Sequence, residues 1–335
     1  MNLIQTPEPF SPAFGEILYA VSLEEAERGR EIGIFNSPVT EKIGIKKATE
    51  APVFNLHVSD YVRSQIGIEP FPRRECAIID ASERTYYSCI AYGNWASSTP
   101  HTAGILPVAL NEPMTGQKIR FLGEDEQDEI GWIAEKGPVF ARALFPVKGN
   151  EPLDIHLGRM EVDEPRMLGL VINSGHLDQR LRERDYRWGD FSRFILEIHS
   201  SHRVVSRFEY RIRPHNCHKT RLAWWNRYGA IDFYSFETIR EIKYNIEKKQ
   251  VGHESRKRNT VSTSRPEIRV ATACATREQI QWLSGIAGAP QVWVEEKERF
   301  VPVEMLDFSL PVYHPDRTDF EIRFQYAEGS PFQTF

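Results

Sequence analysis

The stretch RLAWWNRYGAIDFYSFE, Arg221 to Glu237, decides the fold class. Leu222 and Trp224 belong to one strand, Ile231 and Phe233 to a second, and Asn226 to Gly229 form the turn between them. Gly229 supplies the positive φ that such a turn needs, and the Asn226 side chain is short enough to bond back to its own backbone. Trp225, Tyr234 and Phe236 add aromatic surface for packing across the strands. On the residues alone this is a core hairpin. Its structural positions are Trp224, Trp225, Asn226, Gly229, Asp232, Phe233 and Phe236.

The same style of sequence extends outward on both sides. Towards the N-terminus, Glu16–Ser22, Val53–Val58, Cys76–Ile79 and Thr85–Tyr92 are short runs rich in β-branched and aromatic residues, separated by Pro, Gly, Asn and Ser. Leu168–Asn173, Phe194–His199 and Val204–Arg213 read alike, and in the last of these Ser206, Phe208, Tyr210 and Ile212 share one face of the pleat. Ser59–Ile66 has helical spacing behind a capping Ser59, while Ser97–Asn150, with its prolines, reads as loops around short strands. Beyond the hairpin, Glu267–Ala271, a helix capped by Thr276, and strands over Gln291–Glu295, Phe300–Phe308 and Asp319–Ala327 predict a β-α-β-β-β ending. No internal repeat is visible.

The expected class is therefore mainly β, with two or three β-sandwich or barrel-like domains and a few short helices. At 335 residues the chain exceeds one ordinary core of about 100–200 residues. Residues 1–150 are expected to form an N-terminal sandwich and 151–247 a second β-rich domain holding the hairpin. Residues 248–265 are expected as a basic flexible arm or loop, and 266–335 as a C-terminal portion packed on the second domain.

The net charge of -5 argues against a general nucleic-acid binder, but the charge is uneven. Between His202 and Val270 there are 16 Lys/Arg against 7 Asp/Glu. Cys76, Cys89, Cys217 and Cys274 form no CxxC pair, which fits reduced thiols. No export signal and no apolar run of about 18 residues is present, so no membrane span is expected.

Chemistry-bearing patterns are weak. His215, Cys217 and His218 offer zinc-type ligands without the second pair that a structural site needs, and a turn is the plainer reading. Glu124, Asp125, Glu126, Asp128 and Glu129 lack the spacing of a calcium loop and read as a solvated loop, as do Glu161, Asp163 and Glu164. GxxxxGK[ST], GxGxxG and GxSxG are all absent. Arg256, Lys257 and Arg258 form a short basic run that suits an interaction arm. No catalytic residue, cofactor or metal ligand is expected, and no enzyme.

The hairpin also resembles a W-x-N-x-x-G-x-x-D-x-F-x-F pattern of tail proteins, of distal-tail or baseplate type, from phages and prophages of Bacteroides-like bacteria. The opening PEPFSPAFGEILYAVS and the segment VFNLHVSDYVRSQI are similar to that family's N-terminal segments, and AGAPQV departs from its later strand pattern. The resemblance implies a non-catalytic virion component that assembles in the bacterial host cytoplasm. It would form a homo-oligomeric ring, contact other tail proteins and link the tail tube to receptor-binding parts. Two alternatives come from other classes. One is a carbohydrate-binding or adhesin-like module using Trp95, Trp132 or Trp188 to stack on sugars, and the other is a hydrolase with a site between domains.

Overall fold

The structure, a computed structural model, describes residues 2–25, 29–36, 41–49, 52–72, 74–93, 95–201, 203–214, 219–251, 258–274, 276–297, 299–308 and 318–327. In chain order the elements begin with β1 (Asn2–Gln5), β2 (Ser11–Pro12), β3 (Leu18–Ser22), β4 (Glu31–Phe35), β5 (Lys42–Lys47), β6 (Val53–His57) and α1 (Ser59–Arg63). There follow β7 (Ala77–Asp80), β8 (Thr85–Tyr92), β9 (Trp95–Thr102), β10 (Ile119–Leu122), β11 (Gln127–Ala134), β12 (Gly137–Phe145), β13 (Leu153–Val162) and β14 (Arg166–Asn173). The chain continues through α2 (Ser174–Arg182), β15 (Arg193–Ser200), β16 (Arg203–Ile212), β17 (Thr220–Trp225), β18 (Ile231–Phe236), β19 (Thr238–Val251) and β20 (Arg258–Cys274). It ends with α3 (Arg277–Leu283), β21 (Val292–Glu296), β22 (Arg299–Phe308) and β23 (Thr318–Tyr326). The chain is mainly β, as its alternating runs predict, and the closing β-α-β-β-β order is present.

Three packing units follow from the sheets. Sheets β1-β3-β6 and β2-β9-β8-β4-β5 enclose an N-terminal core that includes Tyr19, Ile34, Leu56 and Ile90. In the middle, β11-β14-β7 lies on β10-β16-β15-β12-β13 around Trp132, Phe145, Leu170, Phe194 and Phe208. β14 reads as a nearly continuous apolar run because both its faces are covered: Leu168, Leu170 and Ile172 enter this core, and Met167 and Val171 enter a smaller cluster with Phe71 and Met114. The third unit is a seven-stranded sheet, β18-β17-β21-β22-β23-β20-β19, with α3 against one face. Among the described residues no helix is long and apolar enough to cross a membrane.

Several expectations change. The boundary at 150 falls inside the β12–β13 hairpin, whose strands pair from Gly137↔Val162 to Phe145↔Leu153. The hairpin β17–β18 belongs to the C-terminal sheet rather than to the 151–212 strands, because β17 pairs with β21 as well as with β18. Within 248–265 the described residues, 248–251 and 258–265, are strand rather than loop, with Lys248↔Ser262 and Val251↔Arg258 in register, and 252–257 lie outside the described residues. Its Thr and Val residues suit a pleat, and cross-strand pairing outweighs the polar composition that suggests a loop. Ser59 does not cap α1. Its hydroxyl instead accepts the Ile17 amide at 2.9 Å and ties the helix to β3.

β19 and β20 run past the sheet. β20 pairs with β23 only over Glu267–Cys274, whereas Arg258–Pro266 pairs with β19 alone. Among the described residues this leaves a two-stranded ribbon with both edges unpaired. At ~3.4 Å per residue, it extends roughly 25–30 Å beyond the last shared rung.

Candidate functional site

The hairpin lies where the three units meet. All six residues of β18 are buried, and Arg221 to Trp225 are buried on β17, because the two faces serve different cores. Ala223, Trp225, Ile231 and Phe233 enter the N-terminal core, while Leu222, Trp224, Tyr234 and Phe236 pack towards α3. Its turn follows the expectation closely. Asn226 Oδ1 accepts the Tyr228 amide at 2.9 Å and the Ala230 amide at 3.2 Å, and Gly229 sits at φ 88°. The Asn226 side chain also donates to the Met114 carbonyl at 2.9 Å, and Trp225 Nε1 to the Ala103 carbonyl at 2.9 Å. These bonds fasten the turn to the segment between the first two units.

Beside the hairpin runs a buried seam of charge that the sequence reading placed in solvent. Glu124 and Asp125 are exposed, but Glu126, Gln127, Asp128 and Glu129 are buried as the chain enters β11. Each carboxylate meets a cation, Glu126 and Glu129 from distant segments and Asp128 from Arg120, eight positions earlier. Arg120 grips Asp128 with two bonds of 2.6 and 2.7 Å and reaches Asp232 of the hairpin at 2.9 Å. Tyr210 donates to Asp128 at 2.9 Å. Glu126 receives Arg221 at 2.9 Å, Lys219 at 2.8 Å and the Ser235 hydroxyl at 2.6 Å. Glu129 pairs with Arg84 at 2.8 Å and accepts the Phe71 amide at 3.2 Å.

Electrostatics follow from this pairing. Burial alone would raise the Glu126 carboxyl, but Arg221 and then Lys219 hold it down, to about 2. Burial pushes Glu129 up despite Arg84, and burial together with the charge of Asp128 drives the Tyr210 hydroxyl well above its ordinary value. Desolvation opposes the Arg120 charge, yet Asp128 and Asp232 keep it a firm cation. Removing one partner of such a pair strands a buried charge, so the seam disfavours any other docking of the units.

A cleft opens on the far side of the hairpin turn. It has a volume of about 270 Å³ and lies between Leu106, Gly116 and Gln117, the turn residues Asn226 to Tyr228, and α3 with Glu278, Gln281 and Trp282. Trp224 and Asp232 line it as well. Asp232 is fully engaged, since Thr115 and Arg120 bond one oxygen and the Trp282 indole N–H donates to the other at 2.9 Å.

The remaining expected positions are dispersed. His215, Cys217, His218, Arg256 and Lys257 lie outside the described residues, and of Arg258 only the backbone is described, at the start of β20. Trp132 and Trp188 are buried at 1% and 6% exposure, so neither can stack on a sugar. Of Trp95 only the backbone, in β9, is described. Glu161, Asp163 and Glu164 are exposed as expected, and the Cys76 and Cys89 thiols are free. Among the described residues no three His, Cys, Asp or Glu side chains cluster as a metal would need. Sequence reasoning missed Arg84, Arg120, Tyr210 and Trp282 as members of the junction and read Asp128 as solvated: Arg120 and Asp128 are only eight positions apart, but the contacts that bury them, to Asp232 and Tyr210, come from 112 and 82 positions away. Asp232 was the one signal, a carboxylate inside an otherwise aromatic strand. Neither a model of a known protein family nor a curated protein matches the chain.

Proposed function

We propose that the chain is a non-catalytic structural subunit of a phage or prophage tail, of distal-tail or baseplate type. In this reading it assembles in the host cytoplasm into a ring of identical copies, which links the tail tube to receptor-binding parts. The observation that carries it is the β19–β20 ribbon. An isolated two-stranded ribbon is marginal in water, and its unpaired edges are a template for another chain. A neighbour in an assembly would supply the missing contacts.

Charge supports a second copy as that neighbour. Residues 244–266 carry six Lys/Arg against two Glu, or +4, which leaves -9 on the rest of the chain. A head-to-tail contact between ribbon and acidic surface generates a ring when the rotation closes. The hairpin and N-terminal resemblance to tail proteins supplies the biological setting. Mass photometry and negative-stain microscopy test this on the full chain, alone and with the products of adjacent genes. Closed rings or incorporation into tail-like particles is the expected result. A chain that stays monomeric and joins no particle under both conditions would sink the reading.

A further inference from the structure

We propose that the cleft beside the hairpin turn binds one neutral pyranose residue of a glycan. The central element is Trp282, which is half-buried with part of its surface in the cleft. Its indole N–H is held by Asp232 at 2.9 Å, and its ring is wedged 5.3 Å from Trp224 at 51° and 5.7 Å from Tyr234 at 83°. Arg120 lies 5.8 Å from the ring and anchors Asp232 from behind. The Trp282 plane is therefore fixed before any ligand arrives. A fixed indole that presents part of its surface to the cleft suits the C–H face of a pyranose, whose partly positive hydrogens meet the negative π-surface at little entropic cost.

Hydroxyl recognition needs unspent polar groups around that face, and they are present. Among the described residues the Tyr228 hydroxyl and the Gln281 side-chain amide have no hydrogen-bond partner, and both line the cleft. Gln117, 8% exposed, donates to the Ile119 carbonyl, which leaves its own carbonyl oxygen to accept from a ligand. Donors and acceptors of this mixed kind match sugar hydroxyls, which are both.

Other ligand classes fit less well. A phosphate or nucleotide needs convergent cations, but the Arg120 guanidinium is spent on Asp128 and Asp232, and exposed Arg227 shares the lining with Glu278. A purely apolar ligand would desolvate three amide and hydroxyl groups without repaying their bonds to water. The volume of about 270 Å³ lies at the small end for ligand sites, which suits a single ring of a longer glycan entering from solvent.

The test uses the full chain and a panel of neutral oligosaccharides, namely malto-, cello-, xylo-, manno- and chitohexaose, followed by saturation-transfer NMR and titration calorimetry. Binding of at least one is expected, with Trp282→Ala abolishing it. Gln281→Ala, at an exposed position, should weaken it roughly fivefold, the worth of one hydrogen bond, while the melting temperature stays unchanged. No binding by any member, binding only to a sulfated heparin fragment, or binding that Gln281→Ala leaves intact would overturn the proposal.

Discussion

At the scale of single residues, Gly229 is constrained both by its positive φ and by the backbone packed against it. A Cβ there would lie 2.6 Å from the Gly104 nitrogen and 2.7 Å from the Ala103 carbonyl carbon, both backbone atoms that cannot step aside. Gly93 has a similar φ of 59° with open space around it. Gly93→Ala should therefore cost only the conformational ~1–2 kcal/mol, and Gly229→Ala clearly more, as read from urea midpoints. Equal losses would show that the turn is not clamped against 103–104. Arg120→Ala leaves Asp128 and Asp232 buried without their cation, so a loss of about 3–5 kcal/mol is expected in the same measurement. His101 carries a pH dependence. Its fully buried ring, bonded to the Ser11 hydroxyl at 3.0 Å and the Ser88 hydroxyl at 2.7 Å, is lowered by burial from 6.5 to about 4. A depressed folded value contributes stability that is present above 6.5 and lost as pH falls towards 4, a loss on the order of 3 kcal/mol. Glu126 adds a further loss between 4.5 and about 2, whereas Glu129, raised by burial, acts in the opposite sense. Melting temperatures from pH 7 to 4 should fall in the parent chain and flatten in His101→Gln.

Elements show how far periodicity carries and where it stops. β16 and β23 alternate as their sequences predict, with Ser206, Phe208 and Tyr210 buried on one and Phe320, Ile322, Phe324 and Tyr326 on the other. Thr276 caps α3 by accepting the Gln279 amide at 3.1 Å. α2 has no clear periodic signal in sequence, although Asn173 caps it by accepting the His176 amide at 3.1 Å and Leu177 and Leu181 sit one turn apart on its buried side. The polar residues between them mask the helical pattern. β11 is the opposite case, for nothing in QDE announces a buried strand. The ribbon of β19 and β20 gives the prediction at this scale. Its amides over 244–251 and 258–265 should exchange rapidly in the free chain and become protected on assembly. Excising 244–266 should leave the melting temperature nearly unchanged while abolishing oligomers seen by mass photometry. Oligomers that survive the excision would place the interface elsewhere.

For the whole molecule, the three units are interleaved rather than strung along the chain. β7 precedes the strands of the N-terminal sheet that follow it, β8 and β9, yet it pairs with β14 in the middle unit. β10 pairs in parallel with β16, with Ile119 opposite Glu209, ninety positions on. A fragment of residues 1–150 should accordingly fail to fold, since β7, β10 and β11 all lose partners that lie beyond 150. A well-dispersed amide spectrum from that fragment would contradict this. Such interleaving suits a subunit that must transmit load without its parts drifting, in keeping with the proposed ring.

The sequence by itself determined the β class, the aromatic hairpin with its Asn226 and Gly229 turn, and the closing β-α-β-β-β order. These rest on local periodicity and on turn chemistry that few residues can perform. Only the tertiary structure decided that both faces of the hairpin are buried, that Glu126, Asp128 and Glu129 are paired charges rather than a wet loop, and that Trp282 stands over a cleft. Each of those depends on partners brought together from distant positions, and a carboxylate reads the same in sequence whether water or a guanidinium faces it.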